Sequence, residues 1–387
     1  MSKSMTKLYI IRHAEAEGNL YRRIHGQYDS PVTDMGLQQI AALGRRFADI
    51  PIDAVYSSDM VRTQSTARAV SVPRTLPIHT TPALREAGMG RWEDLPWAQV
   101  EREEPEQLRC FARDPARWDI GSNESFQALT ERVTAAVAAI SARYPGQTVA
   151  IFTHGNAIRT LLAHILGVPS DRLSEVGHCE NTGVSLLEFD GDAFHIRFMN
   201  DAAHLAPEIS TFARQVWWRD PHSRETGNLD FLPIDLSREG DRYLTYRREL
   251  WTHVHGGLAG YTDGYLDQAR ERVKAHPQAV VEAYLGGAPA GFLELDIPYG
   301  QAQGLGSIAA CYLSPAFRGK NLGVQMIGHA VSVYRPLGRR RLTLKVAPHH
   351  QEAIGFYGRF GFTRTGTAEG ALGPLLVMEK DIEVKIL

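Results

Sequence analysis

The amino-acid sequence predicts two domains in one chain, an N-terminal three-layer α/β domain followed by a C-terminal α+β domain. The chain has 387 residues, which is more than a single hydrophobic core ordinarily serves. Its first half alternates short β-rich runs with amphipathic helical segments, a pattern typical of a sheet covered by helices on both faces. Its second half places three strands in succession before a strand–loop–helix, which is typical of an α+β arrangement.

Composition and charge exclude several classes of protein. The sequence is 43% hydrophobic and 22% charged, with a formal net charge of −2, so neither a nucleic-acid surface nor a membrane surface is indicated. Cys110, Cys179 and Cys311 lack any metal-like spacing and indicate a reducing compartment. No apolar run reaches the roughly 20 residues that span a bilayer, and the N-terminus does not resemble a signal peptide. A cytoplasmic enzyme is therefore expected.

Hydrophobic periodicity predicts the elements of the first half. The predicted strands are Leu8–Arg12, Ala54–Ser57, Thr148–Thr153, Val184–Phe189 and Phe194–Phe198. The predicted helices are Met35–Asp49, Met60–Ser71 and Asn156–Leu166. Beyond Leu205 the periodicity breaks, and the segment 206–228 holds two prolines and many charges. We therefore predict a first domain over 1–205, a linker over 206–228, and a second domain over 229–387, with Trp217 and Trp218 of the linker packed on a domain surface.

The second half has its own set of predicted elements. The predicted strands are Val280–Tyr284, Gly291–Leu295, Ser307–Leu313, Arg341–Val346 and Leu375–Lys380. The predicted helices are Asp241–His255, Gly264–His276, Val324–Val333 and Gln351–Phe360. A loop containing glycines joins the third strand to the third helix, where free backbone N–H groups suit a pyrophosphate.

Charged side chains of the first half follow the ends of predicted strands. Arg12 and His13 end the first strand, Arg62 starts the helix after the second, and His154 ends the third, while Glu86 lies in a loop. Ligands of open α/β sheets bind where strands end and helices begin. Arginines can bind phosphate oxygens through paired hydrogen bonds, and a neutral histidine is a nucleophile toward phosphorus. A protonated carboxyl group can donate its proton to the departing alcohol. The pattern predicts a site for a phosphoryl group.

Five segments carry a resemblance to a known family. In chain order they are IRHAEAEGN (Ile11–Asn19), DSPVTDMGLQQ (Asp29–Gln39), YSSDMVRTQSTA (Tyr56–Ala67), LREAGMGRWED (Leu84–Asp94) and FTHGNAIR (Phe152–Arg159). Together they resemble the histidine phosphatase superfamily, also called phosphoglycerate-mutase-like, from residue 6 to about 205.

The resemblance implies that His13 is the phosphorylated nucleophile and that Glu86 is the proton donor. It also implies a phosphate pocket formed by Arg12, Arg62, His154 and, as lesser contacts, Asn19 and the backbone of Gly155. No metal is implied, because the arginines neutralise the phosphate charge.

Some roles stay open at this stage. Asn19 can instead cap a turn, and Arg159 can be a structural partner or a ligand contact. Glu15 and Glu17 are expected on a solvated face. Both phosphatases and mutases use this pocket; only a modest stretch, roughly Leu95–Ser141, follows the Glu86 loop, which favours hydrolysis over a mutase with long enclosing insertions.

The second half resembles the GNAT superfamily of N-acetyltransferases over residues 229–387. The resemblance is carried by the strand SIAACYL, the loop at Ser314–Gly323, the segment His350–Tyr357, and Phe360–Phe362. It implies that Tyr357 protonates the departing thiolate of coenzyme A. It also implies an acetyl-CoA site formed by Leu313, Arg318, Gly319, Lys320, Asn321, Leu322, Gly323 and His350.

The sequence departs from this second pattern in three places. Asn321 replaces the usual second glycine of the loop, and asparagine tolerates left-handed backbone geometry. His350 replaces a usual asparagine. The strand SIAACYL has no carboxylate to serve as a base, which leaves Glu294, Asp296 or water as candidates.

We therefore predict a bifunctional enzyme. One domain hydrolyses a small phosphorylated metabolite through a phosphohistidine, and the other transfers an acetyl group from acetyl-CoA to an amine. Two alternatives remain: a phosphoglycerate-type mutase with an appended acetyltransferase, and a phosphatase regulated by a non-catalytic acyl-CoA-binding domain. The identity of both substrates and the oligomeric state stay open.

Overall fold

The computed structural model describes residues 5–215 and 227–387, and these residues form two compact units. The first unit comprises residues 5–95, 100–215 and 384–387, and the second comprises 96–99 and 227–383. Trp217 and Trp218 lie outside the described residues. Among the described helices, none combines the length and the apolar character that a membrane-spanning segment needs.

A six-stranded sheet forms the centre of the first unit. Its strands are β1 (Thr6–Arg12), β2 (Ala54–Ser58), β3 (Ile78–Thr81), β4 (Thr148–Thr153), β5 (Val184–Phe189) and β6 (Phe194–Asp201), in the spatial order β3-β2-β4-β1-β5-β6. The first four strands are mutually parallel. Strand β5 runs antiparallel to β1, and β6 runs antiparallel to β5. Every residue of β2 is buried, as expected for a parallel strand covered on both faces.

Helices occupy the connections of the N-terminal half. They are α1 (Glu17–Tyr21), α2 (Asp34–Phe47), α3 (Val61–Ser71), α4 (Trp97–Glu103), α5 (Pro105–Arg113), α6 (Phe126–Arg143), α7 (Gly155–Leu166) and α8 (Thr211–Arg214). Side-chain caps mark two helix starts: the hydroxyl of Thr33 accepts from the N–H of Gly36 at 3.0 Å, and that of Ser125 from Ala128 at 3.1 Å. The predicted elements are confirmed, whereas β3, α1, the helices α4 to α6 and α8 are additional.

Strand direction brings the predicted phosphate-site residues to one edge of the sheet. In the parallel pair β1–β4, Arg12 lies opposite Thr153, so His13 and His154 are the next residues of neighbouring strands. The helices α3 and α7 begin at the same edge, directly after β2 and β4. This is the edge at which open parallel sheets bind ligands.

The first ten residues of the predicted linker lie against the first unit. This segment, residues 206–215, is called the strap below. The buried amide of Gln39 donates to the carbonyl of Ile209 at 2.8 Å. The buried carboxylate of Glu180 accepts from the hydroxyl of Ser210 at 2.7 Å and the N–H of Phe212 at 2.8 Å. Because buried polar groups require such partners, the strap is part of the first unit's packing, and the domain bounds stay a prediction.

The second unit is built on a seven-stranded sheet. Its strands are β7 (Leu229–Pro233), β8 (Val280–Leu285), β9 (Ala288–Asp296), β10 (Leu305–Leu313), β11 (Arg341–Val346), β12 (Thr363–Gly370) and β13 (Gly373–Asp381), in the order β12-β13-β11-β10-β9-β8-β7. Only the pair β10–β11 is parallel. Its helices are α9 (Gly240–His255), α10 (Tyr265–Ala275), α11 (Gly323–Tyr334) and α12 (Gln351–Arg359). The strands β7 and β12 were not predicted.

Candidate active sites

His13 follows β1 directly and is held as a neutral imidazole. Its side chain is only 6% exposed, and its Nδ1 lies 2.7 Å from the carbonyl oxygen of Ala14. Since a carbonyl can only accept, Nδ1 carries the proton and Nε2 keeps its lone pair. Burial, and then the charges of Arg62 and Arg12, hold the pKa of His13 well below its usual range. The imidazole is therefore uncharged at neutral pH.

Two arginines beside His13 each keep one N–H group available. Both Nη atoms of buried Arg62 donate to carbonyls, one to Tyr28 at 3.0 Å and the other to Gly26 at 2.6 Å. Arg12 donates through Nη1 to the carbonyl of Cys179. Among the described residues, the buried Nε atoms of both arginines have no hydrogen-bond partner. Two guanidinium N–H groups are thus fixed in position and unsatisfied.

His154 completes the group of unsatisfied polar atoms. It is fully buried at the start of α7, and its ring centroid lies 5.2 Å from that of His13. In the part of the chain that the structure describes, neither of its ring nitrogens has a partner. A Cβ on neighbouring Gly155 would lie 3.4 Å from Nε of Arg12, which places the start of α7 against that guanidinium. A tetrahedral anion beside His13 would accept from the two guanidinium Nε–H groups and from the single N–H of a neutral His154.

Glu86 is brought to the same helix start. Its carboxylate accepts from the N–H groups of Asn156 at 3.0 Å and Ala157 at 3.2 Å. A Cβ on Gly155 would lie 3.7 Å from its Oε2. The structure therefore gathers His13, Arg12, Arg62, Glu86, His154 and Gly155 around one point.

Asn19 and Arg159 have structural partners. The side-chain oxygen of Asn19 accepts from the N–H of Ala16 at 3.1 Å and so caps α1. Arg159 donates to the carbonyls of Val176 at 2.7 Å and Leu173 at 2.9 Å. Of the two roles left open for each residue, the structural one has direct support.

The expectation of a solvated face for Glu15 and Glu17 is wrong. Their exposed fractions are 4% and 5%. Glu15 accepts from the hydroxyl of Thr33 at 2.7 Å and from that of Thr211, in the strap, at 3.4 Å. Burial raises the pKa of Glu15. Sequence periodicity could not show this, because distant segments cover the loop.

Positioning groups around this site were missed by sequence reasoning. Arg132 of α6 donates to the carbonyls of Ala83 at 3.0 Å and Arg85 at 3.1 Å, and it pairs with Glu124 at 2.7 Å. These contacts hold the loop that carries Glu86. Nothing in the sequence distinguishes Arg132, in the middle of an amphipathic helix, from an ordinary surface charge.

In the second unit, the strands β10 and β11 separate partway along their length. Ladder pairs between them run from Leu305–Arg341 to Ile308–Leu344, although β10 continues to Leu313. An irregularity between Ile308 and Ala310 coincides with this point on the β9 side. Beyond Ile308 the remaining residues of β10 have no ladder pair with β11.

The loop after β10 turns sharply before α11. Gly319 and Asn321 both have left-handed backbone conformations, with φ of 72° and 57°, so the geometry expected of the asparagine is present. Leu322 directly precedes α11, and a Cβ on Gly323 would lie 2.8 Å from the ring of Phe356. Glycine is required there by the close approach of α12.

The charged members of this loop have different surroundings. Arg318 folds back, donating through Nε to the carbonyl of Leu313 at 2.8 Å and lying 3.0 Å from a ring nitrogen of His253. Lys320 is exposed. His350 accepts through Nδ1 from the N–H of Ala353 at 3.1 Å and so caps α12. An asparagine at this position would cap the helix in the same way.

Tyr357 lies on α12 against Cys311 of β10. Burial, and then neighbouring Cys311, hold the pKa of Tyr357 well above its usual range. The phenol is therefore protonated at neutral pH, which is the state that a proton donor requires. Its ring also packs edge-on against Phe362, with centroids 5.4 Å apart.

Neither carboxylate suggested as a base is free for that role. Glu294 is fully buried and accepts from the hydroxyl of Tyr243 at 2.9 Å, from Arg247 at 3.2 Å and from Arg272. Asp296 pairs with the same Arg272 at 3.1 Å. These groups form a buried ion-pair network that ties α9 and α10 to the sheet.

Taken together, the first sheet and its candidate site define an α/β domain with buried, partnerless polar atoms of the described residues beside a neutral histidine. Residues 8–202 match the histidine phosphatase superfamily (branch 1), and the chain belongs to this superfamily. Residues 243–362 match the acetyltransferase (GNAT) family, so the second unit is a GNAT domain.

Relatives of known name resemble the first unit. The chain is 31% identical over 205 residues to the protein named "Probable phosphoglycerate mutase GpmB" of Yersinia pestis, covering 52% of this chain and 95% of that one. The protein of the same name from Yersinia pseudotuberculosis matches equally. The solved structure of Bacillus stearothermophilus YhfR is 34% identical, with a TM-score of 0.50, and covers 51% of this chain and 98% of that one.

Proposed function

We propose that the first unit hydrolyses phosphomonoesters through a phosphohistidine on His13. The observation that carries this proposal is a set of four buried polar atoms beside His13 that have no partner within residues 5–215 and 227–387: Nε of Arg12, Nε of Arg62 and both ring nitrogens of His154. Burying donors without partners is unfavourable by roughly 1–3 kcal/mol each. A phosphoryl group bound beside Nε2 of His13 would relieve that cost.

The reaction follows from the roles these groups can take. Nε2 of His13 attacks phosphorus as the bond to the ester oxygen breaks, and Glu86 gives its proton to that oxygen. Glu86 then takes a proton from water, which attacks the phosphohistidine. The phosphorus–nitrogen bond breaks, releasing inorganic phosphate and neutral His13.

The test is turnover and trapping with the full-length protein. Wild type should hydrolyse p-nitrophenyl phosphate and retain an acid-labile, alkali-stable phosphate label after rapid quenching. His13→Ala should lose both, with turnover falling by at least about 10³-fold. His164→Ala, a change at an exposed histidine of α7, serves as the matched control. Substantial turnover in the His13 variant would refute the proposal.

A mutase is the second candidate for the first unit, because curated relatives of this chain are named probable phosphoglycerate mutases. A mutase keeps the phosphoryl group on histidine until a second hydroxyl of the substrate accepts it, whereas a phosphatase gives it to water. Release of phosphate from monophosphates with no bisphosphate present would favour hydrolysis. Strict dependence on a bisphosphate would favour the mutase.

For the second unit we propose acetyl transfer to an amine. Acetyl-CoA supplies an acetyl group activated as a thioester. The left-handed loop before α11 and the end of the β10–β11 ladder at Ile308–Leu344 support a site for it there. Tyr357 would hold the proton that the departing thiolate takes up. Release of coenzyme A only when amines are added would support an enzyme; binding without release under any amine would favour a non-catalytic acyl-CoA sensor.

A further inference from the structure

Glu93 lies just beyond the catalytic loop, and sequence reasoning gave it no role. Its Oε1 accepts from the N–H groups of Gln27 at 2.7 Å and Met89 at 3.0 Å. Its Oε2 accepts from those of Gly26 at 3.1 Å and Tyr28 at 2.8 Å. One carboxylate thus satisfies four backbone donors. Such charge-assisted bonds are stronger than neutral ones.

The segment held by Glu93 is the one that holds Arg62. The N–H groups of Gly26 and Tyr28 bond Glu93, and their carbonyls accept from the two Nη atoms of Arg62, at 2.6 Å and 3.0 Å. These two bonds use the Nη edge of the guanidinium. Its Nε–H is left as the buried donor without a partner among the described residues.

Glu93 also joins this segment to the loop of Glu86. Its bond to Met89 lies three residues beyond Glu86, and the side-chain amide of Gln27 donates to the Glu86 carbonyl at 3.2 Å. The two loops pack so closely that a Cβ on Gly26 would lie 2.4 Å from the carbonyl oxygen of Ala87. The carboxylate of Glu93 and the side-chain amide of Gln27 together fix the spacing between the segment that holds Arg62 and the loop of Glu86.

We infer that Glu93 is a positioning residue that aims the Nε–H of Arg62 at the phosphoryl group through the backbone of residues 26–28. The inference rests on the proposed phosphate-binding role of Arg62. In Glu93→Gln, an NH₂ group replaces one acceptor oxygen and meets backbone donors. In Glu93→Asp, the charge remains, but the shorter side chain cannot reach both loops equally.

The test measures competitive inhibition of p-nitrophenyl phosphate hydrolysis by inorganic phosphate in the full-length protein. We expect the phosphate inhibition constant to rise about 10- to 100-fold in Glu93→Gln, the range of a lost hydrogen bond to a charged group. Glu93→Asp should fall between this variant and wild type. Glu175→Gln, which breaks an exposed pair with Arg172 (2.6 Å), should leave the constant unchanged.

A double-mutant cycle separates positioning from general damage. If Glu93 acts through Arg62, adding Glu93→Gln to Arg62→Ala should weaken phosphate binding by less than about twofold further. Full additivity of the two losses would overturn the inference, and so would loss of cooperative unfolding in Glu93→Asp, because the carboxylate would then serve the fold as a whole. Wild-type phosphate inhibition in Arg62→Ala alone would instead refute the proposed function of Arg62.

Discussion

At the scale of single residues, the first site depends on which atoms are left without partners. Arg62 bonds protein carbonyls through both Nη atoms and Arg12 through Nη1, and the buried Nε of each has no partner among the described residues. His13 uses Nδ1 in the same way and keeps Nε2. The protein thereby orients each functional atom by bonding the rest of the same side chain, so that little reorganisation is needed when phosphate binds.

Glu86 provides the first residue-scale prediction. As the proton donor, it matters most when the departing alkoxide is a strong base. Glu86→Gln should therefore slow hydrolysis of alkyl phosphates about 10²- to 10⁴-fold and that of p-nitrophenyl phosphate far less. Rates for a series of esters with leaving groups of graded pKa measure this. An equal loss for all esters would exclude Glu86 as the acid.

His204 provides the second, which concerns stability in acid. Its Nδ1 lies 3.2 Å from Nη1 of Arg46 and its Nε2 lies 3.0 Å from the hydroxyl of Thr182. Burial, and then the charge of Arg46, lower the pKa of His204 to about 4. In the unfolded chain the value is about 6.5. Its contribution is thus complete above pH 6.5 and is lost as the pH falls toward 4, where the unfolded state binds the extra proton.

His204→Gln should accordingly flatten the decline of the first unit's stability in acid. We expect the slope of unfolding free energy against pH, between pH 4 and 6.5, to decrease by at most about 1.4 kcal/mol per pH unit. Denaturant titrations at several pH values measure the slope, with His164→Gln as the control. An unchanged slope in His204→Gln would show that His204 titrates alike in both states.

At the scale of elements, helix starts and loops carry both sites. The start of α7 presents N–H groups to Glu86 and places His154 and Gly155 beside His13. The start of α11 follows two left-handed residues. Helix starts suit anionic groups because their first N–H groups lack intrahelical partners. The same physical device therefore serves two unrelated folds.

The loop before α11 gives the element-scale prediction. Asn321 has φ of 57°, a conformation that disfavours most side chains by roughly 1–2 kcal/mol but is easy for glycine. Asn321→Ala should therefore weaken acetyl-CoA binding about 5- to 30-fold, whereas Asn321→Gly should bind nearly as wild type. Calorimetric titration of the full-length protein with acetyl-CoA gives both constants. If Asn321→Ala and Asn321→Gly changed the acetyl-CoA dissociation constant equally, the left-handed conformation of residue 321 would not be what binding requires.

At the scale of the whole molecule, two chemistries share one chain. A phosphatase-type domain and an acetyltransferase domain suggest successive steps on one small molecule with both a phosphate ester and an amine. Joining the two domains in one chain speeds neither reaction unless the product of one site reaches the other before it diffuses away. The prediction concerns shared chemistry, with no claim on the order of the steps.

The shared-substrate prediction has a direct test. The best phosphatase substrate is first found among phosphorylated metabolites that carry amines. That compound and its dephosphorylated form are then offered to the acetyltransferase, and the acetylated phosphate is offered back to the phosphatase. At least one form should accept acetyl, or acetylation should change phosphatase kcat/KM by about tenfold or more. If neither effect occurs, the fusion joins unrelated activities.

The sequence by itself determined the two fold classes and predicted the residues of the first candidate site. Short-range signals carry this information: buried β-rich runs, helical spacing, and charged residues such as Arg12, His13 and His154 at strand ends. These features depend on residues close together in the chain, and the structure has them at the predicted positions.

Only the tertiary structure decided which groups remain free to act. That Glu15 is buried, that Glu294 is enclosed by two arginines, and that Glu93 bonds two loops all depend on segments far apart in sequence. The same holds for the strap. Its sequence predicts a linker, but in the structure Ser210 and Phe212 donate hydrogen bonds to the buried Glu180. Burial and hydrogen-bond partners are properties of the packed chain, and periodicity along a sequence cannot specify them.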